Sequence, residues 1–421
     1  MNINSLVFEL LYGSTQRVHD VAIIATTRGN WGEVIRLVEA WKVLPRLNRV
    51  LRDHKIELDS TSADWLSTKL ARYAVQSGYI ARRAGELTQV LETRGVGVLA
   101  FKGVATLARL HHSPAERMLA DIDLIVREED LELALEAIQE SGFTLSIPGA
   151  LQDQRRFSEN RIHKDNYTIQ LQDAEGLEID LHYGLHGHMD ALLDQGLWSR
   201  AGFLPLLGRP IRCVSPLDAI LLIAHHALRN HFLPFPTVRD LGDLAGYWRG
   251  CRKDLAILEL AAKAEYFGLG STLLGLLGIL EQSGALSLDD EALIELRNTL
   301  GKQDVEESRY LLEWFYGRLE NPNINGNKGG VDFFILLNNP LSLLRLIHNR
   351  IKENRQVGQL SWRRDIKGMR EQIHGSDLRR AGNIVNALAR MNLQQWRCLF
   401  GVLSAQRRAF GLKPIGHRFD R

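Results

Sequence analysis

Asp121 and Asp123 stand two residues apart inside the run Leu119-Ala120-Asp121-Ile122-Asp123-Leu124-Ile125-Val126. On a strand, that spacing puts both carboxylates on one face. Side by side they repel, and each raises the other's pKa unless a cation lies between them. An oxygen site with open positions suits Mg²⁺, which keeps waters and binds substrate phosphates. Such a pair is also what a solvated strand end or an acidic turn carries. The apolar flanks argue for a buried strand that presents its acids at one edge.

Asp180 supplies a third acid, within Leu177-Glu178-Ile179-Asp180-Leu181-His182. Alternation puts Leu177, Ile179 and Leu181 on one side and Glu178, Asp180 and His182 on the other. Three consecutive polar positions on one face need water or chemistry beside them. Three acids from two adjacent strands could hold two metal ions about 3.5–4 Å apart, the clamp used on attacking and leaving oxygens in phosphoryl transfer. A polar hairpin face in water is the competing reading.

Lys102-Gly103 follows the strand-length run Val96–Phe101 and opens a helix. Free backbone N–H groups and the positive dipole end favour anions there, and glycine permits close backbone approach. Lys102 adds a point charge for a phosphate. Arg117, four residues before Asp121, is within reach of the same place. Each of these cations, taken alone, reads as an ordinary surface residue. His182, His186 and His188, with His163, His225 and His226, suggest a metal site, and a histidine-metal hydrolase stays open as a third class. Their spacing fits no zinc motif, and no HExxH occurs. His225 and His226, in an apolar helix, read as core histidines. His182 shares Asp180's face, which suits a supporting or substrate-contacting role. Arg239-Asp240, near a helix start, reads as a structural ion pair or as a site arginine.

The elements that must position these residues follow from periodicity. The first ~90 residues are helical by spacing, with Trp31, Val34, Ile35, Val38 and Trp41 on one face. Asp64 precedes a second helix running from Trp65 toward Leu91. After the turn at Arg94-Gly95 come strand, helix, strand and helix within ~50 residues, the rhythm of an α/β unit. Tyr167, Ile169 and Leu171 form one strand of a hairpin closed by Asp173-Ala174-Glu175-Gly176 onto the strand bearing Asp180. From Ser215-Pro216 onward the pattern is helical again, and Asn321 to Gly330 is rich in Asn and Gly like a linker. The expected organisation is a helical region over 1–93, an α/β core over 94–212, a helical region over 213–320, a linker over 321–330 and a basic helical region over 331–421.

Composition narrows the class. With 45% hydrophobic and 24% charged residues over 421 positions, the chain has the balance of a globular protein. Cys213, Cys251 and Cys398 are too few and too scattered for a disulfide framework or a zinc ribbon, and read as reduced core residues. No apolar run reaches the ~18 residues of a membrane span and no signal peptide is visible, so a cytoplasmic protein is expected. The net charge of +2 is a cancellation. Residues 341–421 carry 17 basic and 5 acidic residues, a net of +12, against −10 for the rest. That segment packs on its own acidic body or draws a polyanion such as nucleic acid.

Taken in order, Phe101-Lys102-Gly103, Arg117, Asp121-Ile122-Asp123-Leu124-Ile125-Val126 and Leu177-Glu178-Ile179-Asp180-Leu181-His182 resemble the uncharacterised nucleotidyltransferase family of the DNA polymerase β-like superfamily. The resemblance continues through Ser215-Pro216-Leu217-Asp218, His225 and Val238-Arg239-Asp240-Leu241, and spans about Arg94 to Ala245. It implies an α+β fold, a small mixed β-sheet nucleotidyltransferase core embedded in a predominantly helical protein. It also implies Asp121, Asp123 and Asp180 as the catalytic metal triad for Mg²⁺, with Mn²⁺ as the alternative ion. Lys102, Gly103, Arg117, His182 and Arg239 then contact a nucleoside triphosphate such as ATP. The wider superfamily has Gly-Ser or Gly-Gly where this chain has Gly103-Val104. The implied reaction moves a nucleoside monophosphate to an acceptor hydroxyl on a sugar, small metabolite, peptide or protein and releases pyrophosphate. A non-catalytic nucleotide- or nucleic-acid-binding protein on the same fold is the alternative.

Overall fold

The computed structural model describes residues 2–146, 168–185, 187–230, 237–287 and 289–320. The expected linker and basic region, Cys398, His163, His186 and the side chain of His188 lie outside what is described.

Four short helices open the chain: α1 (Ile3–Tyr12), α2 (Thr15–Thr27), α3 (Trp31–Ala40) and α4 (Leu44–Asp53). The long helix α5 (Ser60–Thr93) follows. Its cap is Asp59, whose carboxylate accepts from Ser62 N at 2.9 Å, one turn before the start expected at Asp64. It ends where Gly95 turns left-handed at a φ of +78°. The core comprises β1 (Val98–Ala100), α6 (Lys102–Leu110), β2 (Asp121–Val126), α7 (Leu131–Glu140), β3 (Thr144–Leu145), β4 (Thr168–Gln172), β5 (Glu178–His182), β6 (Gly202–Leu206) and β7 (Arg209–Cys213). Among the described residues, the helices that follow β7 are α8 (Pro216–Asn230), α9 (Thr237–Gly250), α10 (Ile257–Tyr266), α11 (Gly270–Ser283), α12 (Glu291–Thr299) and α13 (Lys302–Glu320).

The strands form one mixed sheet in the order β3-β4-β5-β2-β1-β7-β6. β2 runs parallel to β5 and antiparallel to β1, while β1 runs parallel to β7. The β4–β5 hairpin closes as its sequence suggests, because Asp173 Oδ1 accepts from both Glu175 N and Leu177 N at 2.9 Å. The β6–β7 hairpin carries no such signal. Its turn is Leu207-Gly208, both at positive φ, and leucine is an unusual residue at a position that normally takes Asn or Gly. Pro205 faces Pro210 across the pair at the sheet's edge, where a missing N–H is tolerated.

The sheet lies between two cores, and that explains the apolar run around the acids. Ile122, Leu124 and Val126 of β2 join Ile179 and Leu181 of β5 and Leu87 of α5 in one core. Ile125 and Leu99 face the other way, into a larger core that unites the N-terminal helices with α8–α13. Phe8 and Phe315 meet edge-to-face there, 5.0 Å between centroids. β2 is therefore apolar on both faces beyond Asp123, and its acidic face begins only at its N-terminal half. The architecture is the expected α+β one. Among the described residues no helix is long and apolar enough to cross a membrane.

Candidate active site

The parallel register of β2 on β5 pairs Asp121 with Glu178 and Asp123 with Asp180, and sets His182 one step beyond, opposite Ile125. Because alternate residues share a face, Asp121, Asp123, Asp180 and His182 all rise from the sheet face opposite the α5 core. Asp123, Asp180 and His182 each offer a ligand atom, and these atoms lie within 4.8 Å of one another. Asp121, one step toward the start of β2, is not part of that cluster. It is half-buried, and its pKa is raised by burial and by Asp123, with Arg239 and Lys102 opposing.

Asp123 is 3% exposed, deep for a carboxylate. Burial alone would raise its pKa, yet Lys102 and His182 hold it far below the carboxylate range. The Lys102 ammonium donates to Asp123 Oδ1 at 2.6 Å and lies 4.9 Å from the centre of the Phe101 ring. Lys102 reaches it from an unusual place: its φ is +47°, left-handed for a residue with a side chain. Phe101 before it is extended, so the chain leaves β1, kinks at Lys102 and enters α6.

His182 is fixed on two sides. Its Nδ1 pairs with Thr168 Oγ1 at 3.0 Å across the hairpin, and its ring meets Phe101 edge-on at 4.8 Å. Its Nε2 is buried, stands 3.6 Å from Asp123 Oδ1, and has no hydrogen-bond partner among the described residues. A separation of 3.6 Å is too long for a hydrogen bond. Asp180 accepts from Gln170 Nε2 at 3.2 Å.

Gly103 is closely packed on its Cβ side. A Cβ there would lie 2.9 Å from Arg117 Nη1 and 3.1 Å from Leu119 Cδ2, so its missing side chain makes room for an arginine. Arg117 is itself 7% exposed and engaged bidentately by Asp243 of α9, at 3.1 Å through Nε and 2.6 Å through Nη2. Asp243 offsets the burial of that guanidinium. Arg239, one turn earlier on α9, directs its charge at Asp121, and its Nε finds no hydrogen-bond partner among the described residues. The neighbouring Asp240 pairs with His226 Nδ1 at 3.2 Å. Ser215 and Asp218 form a helix cap: Ser215 Oγ donates to Asp218 Oδ2 at 2.6 Å and accepts from Asp218 N at 3.2 Å. Asp218 is further gripped by Arg200 at 2.6 and 3.0 Å. The cap and the Arg200 pair explain why those residues stand at the head of α8. Sequence reasoning missed Asp243 and Thr168, neither of which sits in a motif; only the register and the packing of α9 bring them in.

The donor set of the cluster, two carboxylates and an imidazole with an orphaned buried nitrogen, fits a divalent metal ion. A profile of uncharacterised nucleotidyltransferases matches residues 27–282. Among solved structures, the chain is similar to the antibiotic-resistance factor ANT(2'')-Ia at 16% identity, covering 48% of this chain and 95% of that one with a TM-score of 0.30. It is also similar to an antigenic nucleotidyltransferase-like protein from Paracoccidioides brasiliensis at 13% identity, covering 52% and 93% with a TM-score of 0.30. No curated protein matches the chain.

Proposed function

Since the chain belongs to the uncharacterised nucleotidyltransferase family, we propose that it moves a nucleoside monophosphate from a nucleoside triphosphate to an acceptor hydroxyl, with Asp123 and Asp180 at the centre of the site. The observation that carries this reading is the β2–β5 register, which sets Asp123 directly beside Asp180 on one sheet face next to a buried imidazole. A divalent cation bound there, Mg²⁺ or Mn²⁺, would neutralise charge on the phosphate oxygens.

The chain's own residues account for the remaining needs. Lys102 holds Asp123 charged and ready in the free protein. With Asp123 engaged by a divalent ion, the Lys102 ammonium would be free to meet a phosphate. Arg239 contributes a second cation for the triphosphate on the Asp121 side. Arg117 acts from behind, propping Gly103 and tying it to α9 through Asp243. Asp180, half-buried and accepting from Gln170 through Oδ1, orients the acceptor hydroxyl and takes its proton. The acceptor oxygen then forms a bond to the α-phosphorus, the bond from that phosphorus to the bridging oxygen breaks, and pyrophosphate leaves.

Residues 94–212 would house this chemistry, with 1–93 and 213–320 framing the acceptor side and 331–421 offering positive charge to an acidic partner. The acceptor in this reading is a sugar, small metabolite, peptide or protein in the cytoplasm. The test is to incubate the full chain with Mg²⁺ or Mn²⁺ and each nucleoside triphosphate labelled at the α- or the γ-phosphate. Transfer of α-label with pyrophosphate release is expected. Transfer of γ-label would make it a kinase, and salt-sensitive nucleic-acid binding with no transfer would make it a binding protein on the same fold.

A further inference from the structure

Within the site just described, the Nε2 atom of His182 has no hydrogen-bond partner among the described residues. It sits at the end of β5, two residues after Asp180 and on the same face. Thr168 Oγ1 takes its Nδ1 at 3.0 Å, directly opposite in the β4–β5 register, and Phe101 fixes the plane of its ring. These contacts aim Nε2 at the gap between Asp123 and Asp180, and there it stops, buried and without a hydrogen-bond partner among the described residues. A buried polar nitrogen left unsatisfied costs about 1–3 kcal/mol, so it calls for an occupant such as a water or an ion, and here two carboxylates stand beside it.

Two ordinary explanations fail on geometry. His182 does not serve as a hydrogen-bond donor to Asp123, because 3.6 Å is out of range and Lys102 already satisfies Oδ1 at 2.6 Å. Nor is it a packing residue that happens to be polar, because its other nitrogen is specifically held. One ring nitrogen anchored by a neighbour while the other faces carboxylates is the geometry of a metal-ligating histidine with its supporting partner.

We propose that His182 Nε2 is a direct ligand of the metal shared with Asp123 and Asp180, which makes this a mixed nitrogen–oxygen site selective for Mn²⁺ over Mg²⁺. The inference rests on the transferase reading above and deepens it. Imidazole is a poor partner for Mg²⁺, whereas Mn²⁺ and the later first-row cations accept it. Thr168 acts in this scheme as a positioning residue that sets which nitrogen is free.

The test uses the full chain with Mn²⁺ alone, without nucleotide, read by pulsed electron paramagnetic resonance. Nitrogen modulation of the Mn²⁺ echo is expected, shifting in frequency when the protein is grown with heavy-nitrogen histidine. It should vanish in His182→Gln while Mn²⁺ remains bound through the carboxylates. In competition titrations the Mn²⁺ preference of the natural protein should fall by about tenfold or more in that variant, the scale on which supporting groups alone already act. Thr168→Val, which keeps the ligand, should weaken Mn²⁺ binding without abolishing the modulation. The isotope arm needs no substitution, so a variant that misfolds leaves the question answerable. A bound Mn²⁺ with no histidine modulation, modulation that survives His182→Gln, or no Mn²⁺ binding at all would each overturn the proposal. Absent modulation alongside Asp123-dependent pyrophosphate release would sink this inference and leave the transferase reading standing; modulation without any nucleotidyl transfer would do the reverse.

Discussion

Lys102 Nζ lies 2.6 Å from Asp123 Oδ1, and it gets there because the backbone at Lys102 is left-handed. A buried carboxylate at the centre of the site is thus neutralised by the first residue of the helix that follows the neighbouring strand. Two adjacent strands and the turn between strand and helix are locked together by one ion pair.

Removing the ammonium leaves Asp123 buried and uncompensated. Lys102→Ala is expected to cost about 3 kcal/mol in urea unfolding without metal, the scale for breaking a buried pair. Saturating divalent metal should return part of that loss, since the ion replaces the missing cation. Lys102→Gly should be less damaging than Lys102→Ala by about 1 kcal/mol, because glycine accepts a positive φ freely. Equal stabilities for the two variants would show that the left-handed turn is not maintained in solution.

The Arg117–Asp243 pair makes a second stability claim. Asp243→Asn leaves a buried guanidinium without its counter-charge and should cost about 3–5 kcal/mol. Gly103→Ala pushes a methyl to within 2.9 Å of Arg117 Nη1 and should cost about 1–3 kcal/mol through overpacking. If both substitutions act on one contact, a double-mutant cycle will find them non-additive by at least about 0.5 kcal/mol. Additivity would uncouple the glycine from α9.

Tyr12 links stability to alkaline pH. Its hydroxyl donates to Val238 O at 2.5 Å in full burial, and burial raises its pKa from 10.0 to about 12. The folded state therefore keeps a proton that the unfolded state releases. Its contribution is fully present below pH 10 and is lost as pH climbs toward 12. Denaturant unfolding across that window should show Tyr12→Phe losing stability less steeply than the natural protein. Parallel slopes would mean that the hydroxyl is accessible to water.

How far the sequence alone reaches is clearest at the site. The acids were legible because period-2 alternation identifies a strand face without any tertiary knowledge: Asp121, Asp123, Asp180 and His182 could each be assigned a side from their apolar neighbours. The pairing of Asp123 with Asp180 was not, because register between strands separated by some fifty residues is set by packing, and the sequence records only each strand's own pattern. Gly103 is the instructive case. Its type suggests close backbone approach to a phosphate, and the place a Cβ would take is also bordered by Arg117, whose partner Asp243 lies two residues beyond the Val238–Leu241 stretch in the same helix and is not singled out by it. The β6–β7 hairpin was silent for a local reason: Leu207 occupies a turn position that asparagine or glycine would have advertised. The helical frame was readable from spacing, but the joining of its N-terminal part to α8–α13 in one core was not, since contacts such as Phe8 on Phe315 leave no trace in periodicity.

The most direct measurement is the initial rate of α-label transfer, at saturating Mn²⁺ and nucleoside triphosphate, for the natural protein against Asp123→Asn and Asp180→Asn. These are near-isosteric changes that keep the sheet register while removing the charge that holds a metal. We expect both variants to fold, to retain their far-ultraviolet circular dichroism, and to lose transfer by about a hundredfold to a thousandfold, the range seen when one electrostatic group of an active site is removed. Transfer at the natural rate in either variant would place the chemistry somewhere other than the β2–β5 face.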